Sequence, residues 1–205
     1  MAWQSQPLSA SALRAAERIT MLHTPESVLM DRASAAVASE ATGASRIALL
    51  VGRGNNGGDA LLAGARLAEG GAAVTAVLLA PDAHERGLLC LTQSGGRVIE
   101  WDIDPASATA ALADADVVID GIVGLGGQGG LRAAAQSALK AILPGTRMIS
   151  VDLPSGLDPD SGSAVPAHVT ADITVTFTAP KLCLTTEPAA SSAGRVVVAD
   201  VGVDL

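Results

Sequence analysis

The sequence predicts a three-layer α/β/α fold, a doubly wound, mostly parallel sheet of Rossmann-like type. Three observations carry this expectation. From about residue 46 onward, apolar strands alternate with Ala-rich helical stretches. Those strands are apolar on both faces, as strands covered by helices on two sides must be. Hydrophobic residues make up 49% of the 205, yet Trp3, Trp101 and Phe177 are the only aromatics, so the core has to be built from Ala, Val, Leu and Ile, which suits small-residue helices packed on a sheet.

The elements follow in order. Two helices come first: SALRAAERI (11–19), then a segment starting near 25, with Thr24 as cap and Pro25 at the first helical position. The second helix runs through ESVLMDRASAAVASEAT and meets Gly43, a natural stop. Strand RIALLVG (46–52), helix DALLAGARLAEGG, strand AAVTAVLLA (72–80) and the weaker helix DAHERGLLCLTQSGG come next. The alternation continues with strand RVIEW, helix PASATAALADA, strand DVVIDGI, helix GLRAAAQSALKAIL and strand RMISVDL, and closes with strands ADITVTFTA (171–179) and GRVVVADVGV (194–203). Right-handed crossovers join such strands in parallel. No repeat, linker or low-complexity run interrupts the pattern, so a single domain over 1–205 is expected, two helices followed by the α/β core. The long irregular connection is PDSGSAVPAHVTA (159–171), and long connections are often functional.

Net charge is -8 and the pI is near 4.7, which leaves no basic stripe for nucleic acid or an anionic bilayer. Cys90 and Cys183 match neither a disulfide framework nor a zinc spacing and are expected as buried thiols in a reducing compartment. The N-terminus has no basic region followed by an apolar run, and no uncharged stretch reaches membrane-spanning length. A cytoplasmic protein is expected.

In an open parallel sheet, ligands bind beyond the carboxyl ends of the strands, where the strand order reverses. Three strands here end in unusual loops: GRGNNGGDA after the first, IDGIVGLGGQGGLR (119–132) after the fourth and VDLPSGLDPDSG (151–162) after the fifth. A strand order 3-2-1-4-5 sets them side by side. Gly52, Gly54 and Gly57 satisfy G-x-G-x-x-G, but the acid expected at the second strand end is missing, since Asp82 lies behind a proline. Asp59 would also face a pyrophosphate with like charge, and no Gly-Lys-Ser/Thr completes a P-loop. A purely structural turn with Asp59 as N-cap stays open.

Asp120 and Asp152 each end a buried strand and are expected in the same crevice. An ionised carboxylate is costly there unless paired or bound to a cation. Asn56, Asp120 and Ser155 offer hard oxygens without sulfur or imidazole, which suits an alkali or alkaline-earth cation. With one acid in the set, potassium fits better than calcium; the alternative is that Asp120 merely bonds backbone amides. Glycines 124–130 offer N–H groups at the start of a helix, a place for a phosphate or pyrophosphate with Arg132 beside it.

Taken together, GRGNNGGDA, VVIDGIVGLGGQGGLR, VDLPSGLDPDSG and TVTFTAPK resemble, in order and spacing, the YjeF N-terminal domain family, the NAD(P)HX epimerases. LMDRASAAVA is similar to the family's second helix and GRVVVADVGV to its last strand, so the resemblance spans essentially the whole chain. It implies interconversion of the R and S forms of NADHX and NADPHX, hydrated at C6 of the nicotinamide ring, ahead of a separate dehydratase. It implies substrate contacts at Asn55, Asn56, Gly57, Gly58, Asp59, Gly124, Leu125, Gly126, Gly127, Gln128, Gly129, Gly130 and Asp152, with Asp59 buttressing its loop, and potassium at Asn56, Asp120 and Ser155. Asp152 is the candidate acid/base at the C6 carbinol. Lys181 in TAPKL is a candidate second participant or phosphate contact that no motif decides. A homodimer through the N-terminal helices is also implied.

The chain departs from the family pattern at Ala60, Asp31, Ser34 and Leu125, the last removing a threonine hydroxyl. Three rival readings stand: a nucleotide-binding module without chemistry, an ordinary NAD-dependent oxidoreductase, and one half of a bifunctional epimerase/dehydratase.

Overall fold

The computed structural model describes residues 6–127 and 129–205. Helix α1 (Ala10–Thr20) opens on Ser9, whose side chain accepts from the Ala12 N–H, and buries Ala10, Leu13 and Ala16. Helix α2 (Glu26–Ala41) departs from the expected cap: Pro25 itself stands at the N-cap and no side chain bonds the first turn. Thr24 instead turns back, its N–H donating to Thr20 O at 2.9 Å. Gly43 takes φ 87 and ends the helix as expected.

The remaining elements are β1 (Arg46–Val51), α3 (Gly54–Glu69), β2 (Ala73–Leu78), α4 (Glu85–Gln93), β3 (Arg97–Glu100), α5 (Pro105–Ala113), β4 (Val117–Gly121), α6 (Ala133–Leu139), β5 (Arg147–Val151), β6 (Ile173–Phe177) and β7 (Arg195–Ala199). They form one seven-stranded sheet in the order β3-β2-β1-β4-β5-β6-β7, parallel at every pairing. The anticipated 3-2-1-4-5 order is its first part. Strand order reverses between β1 and β4, so their carboxyl ends open the crevice.

Alternation along β1 divides the core. Ile47, Leu49 and Val51 face Val37 of α2 and Leu61 of α3, while Ala48 and Leu50 face Ala108 and Leu112 of α5 and Ala135 and Ala138 of α6. Successive side chains of a strand point to opposite faces, which is why an unbroken apolar run supplies both layers.

Two boundaries differ from expectation where glycines are involved. Helix α3 begins at Gly54, not near Asp59, because Gly54 takes φ 72 and turns the chain straight from β1 into the helix. Glycine is a poor helix former, but Gly57 and Gly58 serve close approach: a Cβ on Gly57 would sit 2.3 Å from Gly52 O, and one on Gly58 would sit 2.6 Å from Met30. Helix α6, by contrast, is shorter than predicted and starts only at Ala133. Cys183 is buried, its thiol pushed up to about 12 mainly by desolvation, whereas Cys90 is only half-buried, contrary to expectation. Among the described residues no helix is long and apolar enough to cross a membrane.

Candidate functional site

At the end of β4, Asp120 is fully buried. Its Oδ2 accepts from Ser150 Oγ at 2.8 Å and Ser155 N at 2.9 Å, and its Oδ1 accepts from Ile122 N at 3.2 Å. Burial raises its pKa and those donors pull it partly back. Ser155 Oγ accepts from Val123 N at 3.0 Å and donates to Val123 O at 3.1 Å. Asn56 reaches the same turn from α3: its backbone O lies 3.0 Å from where a Gly121 Cβ would stand, and its Oδ1 lies 2.7 Å from the Gly124 Cβ position. The three expected cation ligands therefore converge on residues 120–124. Asp120 lies beneath the cleft and not in its wall, which corrects the expectation of one shared crevice.

The donor set fits a monovalent cation on two observations. No basic side chain pairs with Asp120 among the described residues. The Asn56 Nδ2 is buried without a partner, and turning that amide over would present an oxygen instead. Among the described residues no group of three or more His, Cys, Asp or Glu could hold a metal ion.

Asp152 leaves β5 with φ 70, a left-handed value for a residue that is not glycine. Its N–H donates to Val175 O at 2.7 Å. Its Oδ1 accepts from Lys181 Nζ and, at 3.4 Å, from Thr176 Oγ1. Lys181 is 1% exposed and also donates to Thr176 Oγ1 at 2.7 Å and Phe177 O at 3.3 Å. Lying behind Asp152 and outside the cleft wall, it is placed for no phosphate contact. The second oxygen, Oδ2, lies 3.0 Å from the Gly124 Cβ position, across from Asn56 Oδ1.

Asp152, Asn56 and Gly124 border an open cleft of about 370 Å³ walled by α1, α2, the first turns of α3 and the loop after β4. Glu17, Glu26, Asp59 and Asp152 bring carboxylates to it, Arg14 and Arg53 bring guanidiniums. Asn55 donates to Glu26 Oε1 at 2.6 Å and Arg14 to Leu125 O at 2.5 Å, so both N-terminal helices are tied to the glycine loops. Asp59 is buried and its Oδ1 has no partner. Desolvation, reinforced by Asp152, Glu17 and Glu26, lifts its pKa well above the carboxylate range. Glu17 is raised by burial and by Asp152. Asp59 is thus not an N-cap, since Arg53 holds that place.

Of the expected substrate contacts, Asn55, Asn56, Asp59, Gly124, Leu125, Gly126 and Asp152 line the cleft. Gly57 and Gly58 serve packing instead. Gly127, Gly129 and Gly130 lie outside the wall, and the N–H groups of Gly127 and Gly130 are taken by Gly124 O and Gly156 O at 2.9 and 2.7 Å. The glycines precede α6 without belonging to it, so the expected place at a helix start is not what the structure gives them, while Gly124 and Gly126 stay in the cleft wall. Gln128 lies outside the described residues. Arg132 stands exposed at the α6 N-cap, away from the cleft. Sequence reasoning missed Arg14, Glu17, Glu26 and Phe177, whose place in the wall depends on how the N-terminal helices dock. An oxygen free to accept a proton beside a carboxyl that tends to keep one is an arrangement able to move protons on a bound ligand.

The family model described as YjeF-related protein N-terminus matches residues 26–183. A protein of Mycobacterium tuberculosis named bifunctional NAD(P)H-hydrate repair enzyme Nnr is 40% identical over 96% of this chain. The chain spans only 41% of that relative's length. A protein of Limosilactobacillus fermentum named NAD(P)H-hydrate epimerase is 34% identical over 95% of this chain and 96% of its own. The crystal structure of the yeast protein ynu0 shares the fold, with a TM-score of 0.77 at 19% identity over 94% of this chain and 87% of that one.

Proposed function

The chain belongs to the YjeF-related N-terminal family, and from that premise we propose that it interconverts the R and S forms of hydrated NADH and NADPH at C6 of the nicotinamide ring, as an isomerase of cofactor repair. The carrying observation is that Asn55, Asn56 and Asp59 from the first turns of α3, Gly124 from the loop after β4 and Asp152 at the end of β5 meet in one cleft with an Asp152 oxygen facing it. The names of the relatives point to the same reaction.

In this reading the C6 hydroxyl takes a proton and leaves as water, with the ring nitrogen stabilising the cationic carbon left behind. Water then adds to the opposite face and gives up a proton. Asp59, whose pKa is raised by burial and by the neighbouring acids, supplies the first proton from its place in the cleft wall; Asp152 Oδ2 receives the second and returns it to Asp59 before the next turnover. The carboxylates of Glu17 and Glu26 beside the cleft favour the positive charge that develops. Potassium belongs to the proposal at Asn56, Asp120 and Ser155, where its bound charge would supply fixed compensation for Asp120. So do a single functional unit over 1–205, a homodimer, a cytoplasmic setting and a dehydratase, fused or separate, that consumes the S form.

The test adds the protein to purified R-NADHX in potassium buffer and follows the S form by chromatography. Exchange far above the spontaneous rate, lowered by several orders of magnitude in Asp152→Asn, is expected. Binding of NADPHX without exchange would replace the proposal with a binding module that has no chemistry.

A further inference from the structure

Asp152 and Thr178 are the two described residues other than glycine with left-handed φ, 70 and 69. Asp152 is one half of a buried ion pair, and Thr178 lies just ahead of the other half, Lys181. Strained backbone of this kind persists where surrounding structure holds it, and it clusters at functional sites. Here Thr178 redirects the chain after β6 so that Lys181 returns beneath the end of β5. Leu8 pins that return, its N–H donating to Pro180 O at 2.9 Å and its backbone bridging Lys181. The ammonium then has acceptors in Asp152 Oδ1, Thr176 Oγ1 and Phe177 O.

A buried lysine is costly to desolvate, and a hydrophobic residue of similar volume could fill the space. Packing therefore gives no reason for an ammonium at 181. Geometry does. Asp152 has two equivalent oxygens, and free rotation would present either one to the cleft. Lys181 and Thr176 both engage Oδ1, while Oδ2 has no hydrogen-bond partner among the described residues and lies beside the Gly124 slot facing Asn56. We propose that Lys181 is a positioning residue: it ties down one oxygen of Asp152 and so commits the other to proton transfer at the reacting C6 centre of the substrate.

This inference rests on the epimerase reading and on Asp152 as its acid/base. It separates Lys181 from the roles left open by sequence, because a residue behind the carboxylate touches neither phosphate nor ring. Its effect must pass through Asp152 and appear in turnover, not in substrate affinity.

The experiment measures epimerisation kcat and KM for wild type, Lys181→Met, Lys181→Arg, Asp152→Asn and the double variant Asp152→Asn/Lys181→Met, with folding checked by circular dichroism. Lys181→Met is expected to lose about 100-fold in kcat, the order of effect of a misplacement near 1 Å, with KM within about twofold of wild type. Lys181→Arg, which keeps donors and charge, should recover part of that loss. In the Asp152→Asn background, Lys181→Met should cost nothing further. Wild-type kcat in folded Lys181→Met, a raised KM with kcat retained, or a full additional loss in the Asp152→Asn background would each overturn the inference. If Lys181→Met does not fold, Thr176→Val, which removes one acceptor of the ammonium and one donor to Oδ1, is read by the same criteria. An inactive wild type would count against the epimerase reading itself, whereas an active wild type with an equally active Lys181→Met would count against Lys181 alone.

Discussion

Replacing Gly124 by alanine tests whether the slot between Asn56 and Asp152 is where chemistry happens. Gly124 does not have a left-handed φ, so the backbone accepts alanine without conformational strain. The new methyl would stand 2.7 Å from Asn56 Oδ1, 3.0 Å from Asp152 Oδ2 and 3.2 Å from Asn56 Cγ. Comfortable contacts begin near roughly 3.5 Å, so the two side chains together must retreat by most of an ångström. Asp152 is tethered through Oδ1, which leaves Asn56, with its unpartnered amide, to give way. A misplacement of about 1 Å at a reacting group costs on the order of 100-fold, so Gly124→Ala should lose about 10- to 100-fold in epimerisation. Overpacking costs about 1–3 kcal/mol, which in a chain of this size lowers the thermal midpoint by several degrees without abolishing folding. The assay is R-to-S exchange followed by chromatography, with a thermal melt of the same preparation. Gly126→Ala, whose methyl meets nothing within 4 Å, separates crowding from simple contact between loop and substrate. Activity of folded Gly124→Ala within about threefold of wild type would refute the reasoning, because the slot would then have no part in turnover.

A methyl on Gly52 would lie 1.9 Å from the Ile122 carbonyl oxygen, and backbone cannot yield as a side chain can; Gly52→Ala should destabilise by about 3 kcal/mol or more, and denaturant midpoints equal to wild type would contradict this packing. Asp59 has a raised folded-state pKa, so its contribution to stability is full below the ordinary carboxylate value of about 4 and is lost as pH rises through the folded value. Asp59→Asn should therefore gain stability relative to wild type as pH rises above about 4 in urea unfolding, and a pH-independent difference would show that the carboxyl's pKa is not raised by folding. Lys181→Met should cost about 3–5 kcal/mol by stranding Asp152, and Asp152→Asn should restore part of it in the double variant; additive losses would mean that the pair is not coupled. Replacing potassium by tetramethylammonium at equal ionic strength should lower the thermal midpoint, and Asp120→Asn should remove the difference; identical melts of the wild type would argue against the cation site.

The legible part of the site was its list of loops. Asn56, Asp120, Ser155 and Asp152 were found from residue type and strand ends, since a buried strand has few reasons to finish in a carboxylate. Their division into two layers was not legible. Asp120 turns down toward Ser150 and Ser155 while Asp152 turns toward the cleft, and the left-handed φ that aims Asp152 is set by the Val175 carbonyl, on another strand. The glycines misled for a related reason. In α3 they permit contact with Gly52 and Met30, and in 127–130 two of their N–H groups serve the loop itself, so a run that looked built for phosphate is partly built for packing.

Element type and order follow from the chain alone, because hydrophobic period and local breakers act within a few residues. A parallel α/β sheet, its reversal beside β1 and the three loops at its carboxyl edge all follow from that local information and from the handedness of crossovers. The partners of each charge do not. Glu17 and Arg14 enter the cleft only once α1 docks against it. The pKa of Asp59 is raised only because dry surroundings and three other acids are assembled about it. Lys181 becomes a buried partner of Asp152 only when β5 and β6 lie side by side. Burial and charge pairing are properties of distances between residues far apart in sequence, and those distances exist only after the chain has packed.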